Sequence, residues 1–163
     1  DATAGLGLEA AVDPLHGPPQ VVEAEVVEHD ALHAAFGKDL LLFELPFLSE
    51  PMVLLNVVFE MQSAGYRPVL AHPERYPFWH NDQGTMEKLK DRGVLFQLNT
   101  IALMGGYGPG VKRAAERIVD NGWYELIGSD CHRMDHVNAI HATLTEPYLH
   151  KVIASGKLLN TTI

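Results

Sequence analysis

The sequence predicts an α/β fold built from parallel strand–helix units. Three observations predict it. Short apolar runs rich in β-branched residues alternate with stretches of helical period. Gly65, Gly93 and Gly122 each follow a helical stretch, where a left-handed cap belongs. His72, Asn99 and Asp130 each close an apolar run with a polar side chain. In parallel α/β folds the chemistry sits at the carboxyl ends of the strands. Those three residues are therefore the first places to look.

Taken in order, residues 1–20 hold Gly5, Gly7, Pro14, Gly17, Pro18 and Pro19 and read as an irregular lead-in. Residues 21–27 (VVEAEVV) are β-branched and alternating, which predicts a strand. After a short charged stretch, residues 39–47 (DLLLFELPF) form a near-continuous apolar run, as expected of a strand buried on both faces. Ser49-Glu50-Pro51 is a helix-start pattern with proline in the first turn. Leu54, Leu55, Val58, Phe59 and Gln62 then share one helical face. Residues 67–72 predict a strand, 85–92 a short helix capped by Thr85, and 94–99 another strand. Residues 109–121 predict a helix with Val111, Ala114, Ala115, Ile118 and Val119 inward. A strand at 124–129 and helices near 135–144 and 146–155 complete the pattern. With right-handed crossovers this gives a doubly wound sheet or part of a barrel.

Composition narrows the function. The 163 residues are one domain's worth, 47% hydrophobic and 20% charged, so a packed core is expected over 1–163. A formal charge of −9 argues against DNA or RNA as the main partner, since that footprint needs clustered positive charge. No apolar run is long enough to span a bilayer. The single Cys131 rules out an internal disulfide framework and fits a reducing, cytoplasmic setting. No signal peptide is visible. The chain begins at Asp1, so it is expected to be processed or part of a longer protein. Nine histidines in an acidic chain suggest metal ligands, although a histidine is more often a surface or capping residue.

Three constellations carry chemistry. In Ala71-His72-Pro73-Glu74-Arg75-Tyr76 a histidine and an arginine leave a strand end together. A neutral imidazole binds metal, and a guanidinium fits a pair of anionic oxygens. The competing reading makes His72 a helix cap and Arg75 the partner of Glu74 or another surface acid. In Gly128-Ser129-Asp130-Cys131-His132 an acid and a histidine stand two apart. In extended backbone both would point the same way and reach one metal. The alternative is an Asp cap beside an exposed histidine. Glu23 and Glu25 interrupt an apolar strand, either satisfied by a metal or exposed on an edge; taken alone, exposure is favoured. Cys131 is not a phosphatase nucleophile of the C-x5-R type, because Val137 stands where the arginine would be. The glycine-rich Gly105–Gly110 matches no nucleotide-binding motif and reads as a flexible loop over the site. There is no G-x-S-x-G of a serine hydrolase. His16, His29 and His33 read as surface residues, and most of His80, His136, His141 and His150 as solvated.

The stretches FELPFLSEP, FEMQSAGYRPVLAHPERY, LFQLNTIALMGGYGPGVKRAAE and GSDCH resemble the bacterial metal-dependent protein-tyrosine phosphatases of the polymerase-and-histidinol-phosphatase (PHP) superfamily. The likeness runs from about residue 39 to about 145. It implies a distorted (β/α)7 barrel with a multinuclear site of manganese, iron or zinc. It also implies removal of phosphate from tyrosine, without a cysteinyl intermediate, on a bacterial tyrosine kinase of capsule or exopolysaccharide synthesis. By resemblance His72, Asp130, His132 and Glu25 are metal ligands, with Glu23 the competitor of Glu25. Arg75 binds phosphate and is catalytic, with Asp130 or a neighbouring histidine a candidate for proton transfer. Self-association is a further expectation.

Family members begin with an H-x-H strand, and His16 has no partner two residues away. The chain is therefore expected to correspond to the C-terminal part of such an enzyme, an incomplete barrel lacking the N-terminal strands. Three alternatives stand beside that reading: a PHP phosphoesterase acting on a small phosphate monoester such as histidinol phosphate, an inactive fragment that only binds a partner, and a barrel-type amidohydrolase. The arginine of A-H-P-E-R argues against the last.

Overall fold

A computed structural model describes residues 33–163. The strand predicted at 21–27, with Glu23 and Glu25, lies outside the described residues, as do His16 and His29. The described sheet has five strands in the order β1-β2-β3-β4-β5. They are β1 (His33–Phe36), β2 (Leu40–Phe43), β3 (Arg67–Ala71), β4 (Leu95–Asn99) and β5 (Leu126–Gly128). β2 to β5 run parallel, and β1 pairs antiparallel with β2. Each strand sits beside its predecessor with no reversal of order. That is the progression of a barrel arc, which decides against the doubly wound alternative.

β1 is an element the sequence pattern does not predict. Its HAAF lacks the alternation and branching that mark a strand. What makes it is the turn: Gly37 and Asp39 both take positive φ (58° and 61°), the hand that folds a tight hairpin back on itself. β2 is shorter than the run 39–47 and stops at Phe43. Beyond it the Leu45 N–H donates to the Tyr76 hydroxyl at 2.9 Å, and Pro46 has no N–H to give.

α1 (Leu54–Ser63) starts after a turn rather than at Ser49, and its N-cap is Val53. It buries Leu54, Val58 and Met61. Phe59, expected inward, is exposed on the far side of that stripe. α2 (Gly84–Asp91) begins one residue ahead of Thr85, whose hydroxyl donates to Glu50 instead of capping. α3 (Thr100–Leu103) is a single turn capped by Asn99, whose side chain accepts the Ile101 N–H at 2.9 Å. α4 (Pro109–Asp120) buries Ala114, Ala115, Ile118 and Val119 as the period predicts. α5 (Met134–Thr143) and α6 (Pro147–Ala154) follow β5. No described helix is long and apolar enough to cross a membrane.

The core lies between the sheet and these helices. Phe43, Leu70, Phe96 and Leu98 from the strands meet Val58, Leu89 and Ile118 from the helices. Each fully buried aliphatic side chain there contributes about 1.5–3 kcal/mol. Tyr76, between two short 3-10 turns (Pro73–Arg75 and Pro77–Trp79), and Trp79, in the second of them, are buried in the same core. At the far edge, the C-terminal segment lies along β5. Leu159 N–H donates to the Glu125 carbonyl at 2.8 Å. The Asn160 carboxamide accepts from the Ile127 N–H and donates to its C=O, both at 2.9 Å.

Candidate metal and phosphate site

The carboxyl ends of three parallel strands place a carboxylate, an imidazole and a second carboxylate together. Glu44 follows β2 directly, His72 follows β3, and Asp130 stands two residues past β5. One ligand atom from each lies within 4.8 Å of the other two. His72 Nε2 is 3.2 Å from Glu44 Oε1. The Arg75 guanidinium contacts the Asp130 carboxylate directly. Among the described residues, then, His72, Asp130 and Arg75 meet as one constellation, and Arg75 pairs with Asp130 rather than with Glu74.

Backbone geometry explains how they meet. His72 and Asp130 take φ of 36° and 47°, the left-handed region that non-glycine residues avoid. His72 also precedes a proline, which ordinarily keeps a residue extended. The strain is held by its surroundings. His72 N–H still donates to the Gln97 carbonyl at 2.8 Å, continuing the ladder from β3 to β4. Its own carbonyl accepts from Arg75 N–H at 2.9 Å, closing the turn that presents the guanidinium. Strain over-determined by its setting is a mark of functional sites.

Charge and burial set the protonation states. Burial pushes the His72 imidazole below its ordinary value, and the Arg75 cation lowers it further, against the opposing pull of Glu44 and Asp130. Burial thus favours the neutral ring, the form that binds metal. Its Nδ1 is buried with no hydrogen-bond partner among the described residues. Two carboxylates and a buried neutral imidazole form a donor set that fits a divalent cation.

Two neighbours brace the set. Glu74 is fully buried, and its carboxyl accepts the Asn99 N–H at 3.1 Å, which ties the His72–Arg75 turn to the end of β4. Burial raises that carboxyl from 4.5 to about 8. Tyr76 accepts the Leu45 N–H and so holds the backbone just after Glu44. Burial pushes its hydroxyl up as well.

The remaining predicted residues fall elsewhere. His132 is 74% exposed, with Nδ1 3.2 Å from Asp130 Oδ1 and 2.9 Å from the Asp130 carbonyl. It stands outside the three-residue group, because the left-handed turn at Asp130 breaks the extended i, i+2 geometry expected of D-x-H. Asn99, the third strand-end residue, caps α3 and holds Tyr107 through its side-chain amide at 3.2 Å. Cys131 is exposed. Glu25 is outside the described residues.

Glu44 is the residue that sequence reasoning missed. The rule that found His72 and Asp130 also finds Glu44 once β2 is allowed to end at Phe43. A strand drawn through residue 47 hides it in mid-strand.

Comparison with known proteins gives the family. The family model for capsular polysaccharide synthesis, CpsB/CapC, matches residues 21–152. CapC of Staphylococcus aureus is 29% identical over 92 residues, 56% of this chain and 36% of that protein. The tyrosine-protein phosphatase YwqE of Bacillus subtilis (strain 168) is 29% identical over 94 residues, 58% of this chain and 37% of that protein. Among solved structures, a chain from those of YwqE of Bacillus subtilis and CpsB of Streptococcus pneumoniae, metal-dependent tyrosine phosphatases, superposes with a TM-score of 0.56 at 26% identity. The overlap covers 72% of this chain and 51% of that one, which fits an incomplete barrel. The chain thus spans little more than a third of the length of the curated relatives it matches. A match over residues 21–152, with a site of the right chemistry at the strand ends, places this chain in the CpsB/CapC family.

Proposed function

We propose that this chain forms the metal- and phosphate-binding half of a metal-dependent protein-tyrosine phosphatase. The observation that carries the reading is the meeting of Glu44, His72 and Asp130 with the guanidinium of Arg75 at one rim of the sheet. A cation site beside an arginine is a receptor for a phosphate monoester.

Glu44, His72 and Asp130 would hold the cation, with His132 and Glu25 as further ligands of a multinuclear set. A bound divalent cation supplies Lewis acidity toward phosphoryl oxygens and lowers the pKa of water beside it. The chain's own residues do the rest. Arg75, presented at the triad by Asp130, donates to two phosphoryl oxygens and offsets the charge that develops on them. Asp130, the triad member in contact with Arg75, would take a proton from the attacking water and pass it to the departing phenolate, with a neighbouring histidine as the alternative. Cys131 is not needed. The metal we favour is manganese, with iron or zinc as alternatives. The substrate is a phosphotyrosine protein, and we take it to be a cytoplasmic tyrosine kinase of capsule or exopolysaccharide synthesis.

The test is metal content and turnover measured together on the full chain. Protein dialysed against manganese should retain metal, hydrolyse aryl phosphates, and lose that activity to a chelator. Arg75→Ala should keep the metal and lower turnover about 100-fold or more, the scale of one lost charge-stabilising donor. Protein that retains no metal and turns over no aryl phosphate would be a binding fragment, and the proposal would be abandoned.

A further inference from the structure

Two aromatic rings at the site have no part in holding metal or phosphate. The Arg75 guanidinium carbon lies 5.0 Å from the Phe47 ring centroid and 4.5 Å from that of Tyr107. Phe47 also stacks on His72, with centroids 5.8 Å apart and planes inclined by 20°. Both rings therefore touch the group that would take the phosphate, and one of them touches the triad itself.

The rings are presented deliberately. Phe47 sits in the loop between β2 and α1, which is tied down on either side. Leu45 N–H bonds to Tyr76, and the Glu50 carboxylate accepts from the Trp79 indole at 2.6 Å and the Thr85 hydroxyl at 3.0 Å. Tyr107 is held through its hydroxyl by the Asn99 amide. Yet Phe47 remains 44% exposed among the described residues, and Leu48 beside it is 98% exposed. A fixed phenyl ring left open to water at the mouth of a polar site gains from a ligand that covers it.

We infer that Phe47 and Tyr107 read the alcohol half of the ester and make the site prefer phosphates of phenols over phosphates of aliphatic alcohols. The inference rests on the proposed role of Arg75 as the phosphate-binding group. An ester whose phosphoryl oxygens sit on Arg75 has its leaving group beside the rings packed against that same guanidinium. An aryl group there gains ring–ring contact; an aliphatic one leaves Phe47 wet.

Two measurements on the manganese-loaded full chain test this. The first is the ratio of kcat/KM for phosphotyrosine to that for phosphoserine. Phe47→Leu and Tyr107→Leu should each lower the ratio about fivefold. Phe47→Tyr should keep it, and Phe59→Leu, on the outer face of α1, should leave it alone. The second is binding of phenylphosphonate against methylphosphonate by calorimetric titration, which needs no turnover. The preference for phenylphosphonate should shrink by a similar factor in both leucine variants. If both substrates lose equally and the phosphonate preference holds, the rings serve only to pack Arg75 and the inference fails while the phosphatase reading stands. If the unmutated chain neither hydrolyses an ester nor binds a phosphonate, the phosphatase reading itself fails and takes the inference with it.

Discussion

At the scale of single residues, Glu74 shows what burial does beside this site. Its carboxyl is fully buried, and its Oε2 has no partner among the described residues. Desolvation raises it from 4.5 to about 8, so the folded protein holds that proton more tightly than the unfolded chain does. Stability from this group is complete below about 4.5 and is lost as pH rises toward 8. In chelator, the melting temperature should therefore drift down across that window. Glu74→Gln keeps the acceptor for Asn99 without the charge and should flatten the drift. Thermal scans in buffers of matched ionic strength check this; an identical slope in the variant would remove Glu74 as its source. None of this was legible in the sequence. A glutamate between a proline and an arginine reads as exposed, and only the tertiary contact with Asn99 puts it inside.

At the scale of elements, the site depends on where strands end and what pins the chain beyond them. Tyr76 is the clearest case, since its hydroxyl takes the Leu45 N–H one residue after Glu44. Tyr76→Phe leaves that N–H without its partner and should cost about 1–3 kcal/mol. Metal affinity should fall alongside, because the backbone carrying Glu44 is released; isothermal titration with manganese reads it. Undiminished affinity would mean the strand end holds its place unaided. The elements themselves were largely written in the sequence. The strands after α1, the α4 face and the glycine stops follow from period and capping. β1 did not, because a turn rather than a strand pattern makes it. The start of α1 was drawn too early, because Ser49 and Pro51 belong to the loop that carries Phe47. The glycine-rich segment was legible as a loop near the site, but nothing in its glycines pointed to Tyr107, whose ring lies against Arg75.

At the scale of the whole molecule, the proposed cation would link three segments far apart in sequence. Glu44, His72 and Asp130 converge only in the folded chain, so metal should bind the folded state and stabilise it. At a metal concentration 100 times the dissociation constant the gain is about 2.7 kcal/mol. For a chain of this size that is a rise of roughly 5–10 °C in melting temperature. Differential scanning with and without manganese measures it, and His72→Ala should abolish the rise. A rise that survives His72→Ala would place the metal elsewhere. This convergence was legible only in part: the histidine and the aspartate announced themselves at strand ends, whereas their distance from Glu44 is a property of the sheet order.

The Asn160 carboxamide has a consequence for that sheet order. By giving and taking one hydrogen bond with Ile127, it imitates a rung of a further strand. A visiting polypeptide would find that rung occupied and would have to evict an amide before it could zip on. Among the described residues, one short side chain thus fills a rung along β5 that an added strand would otherwise take.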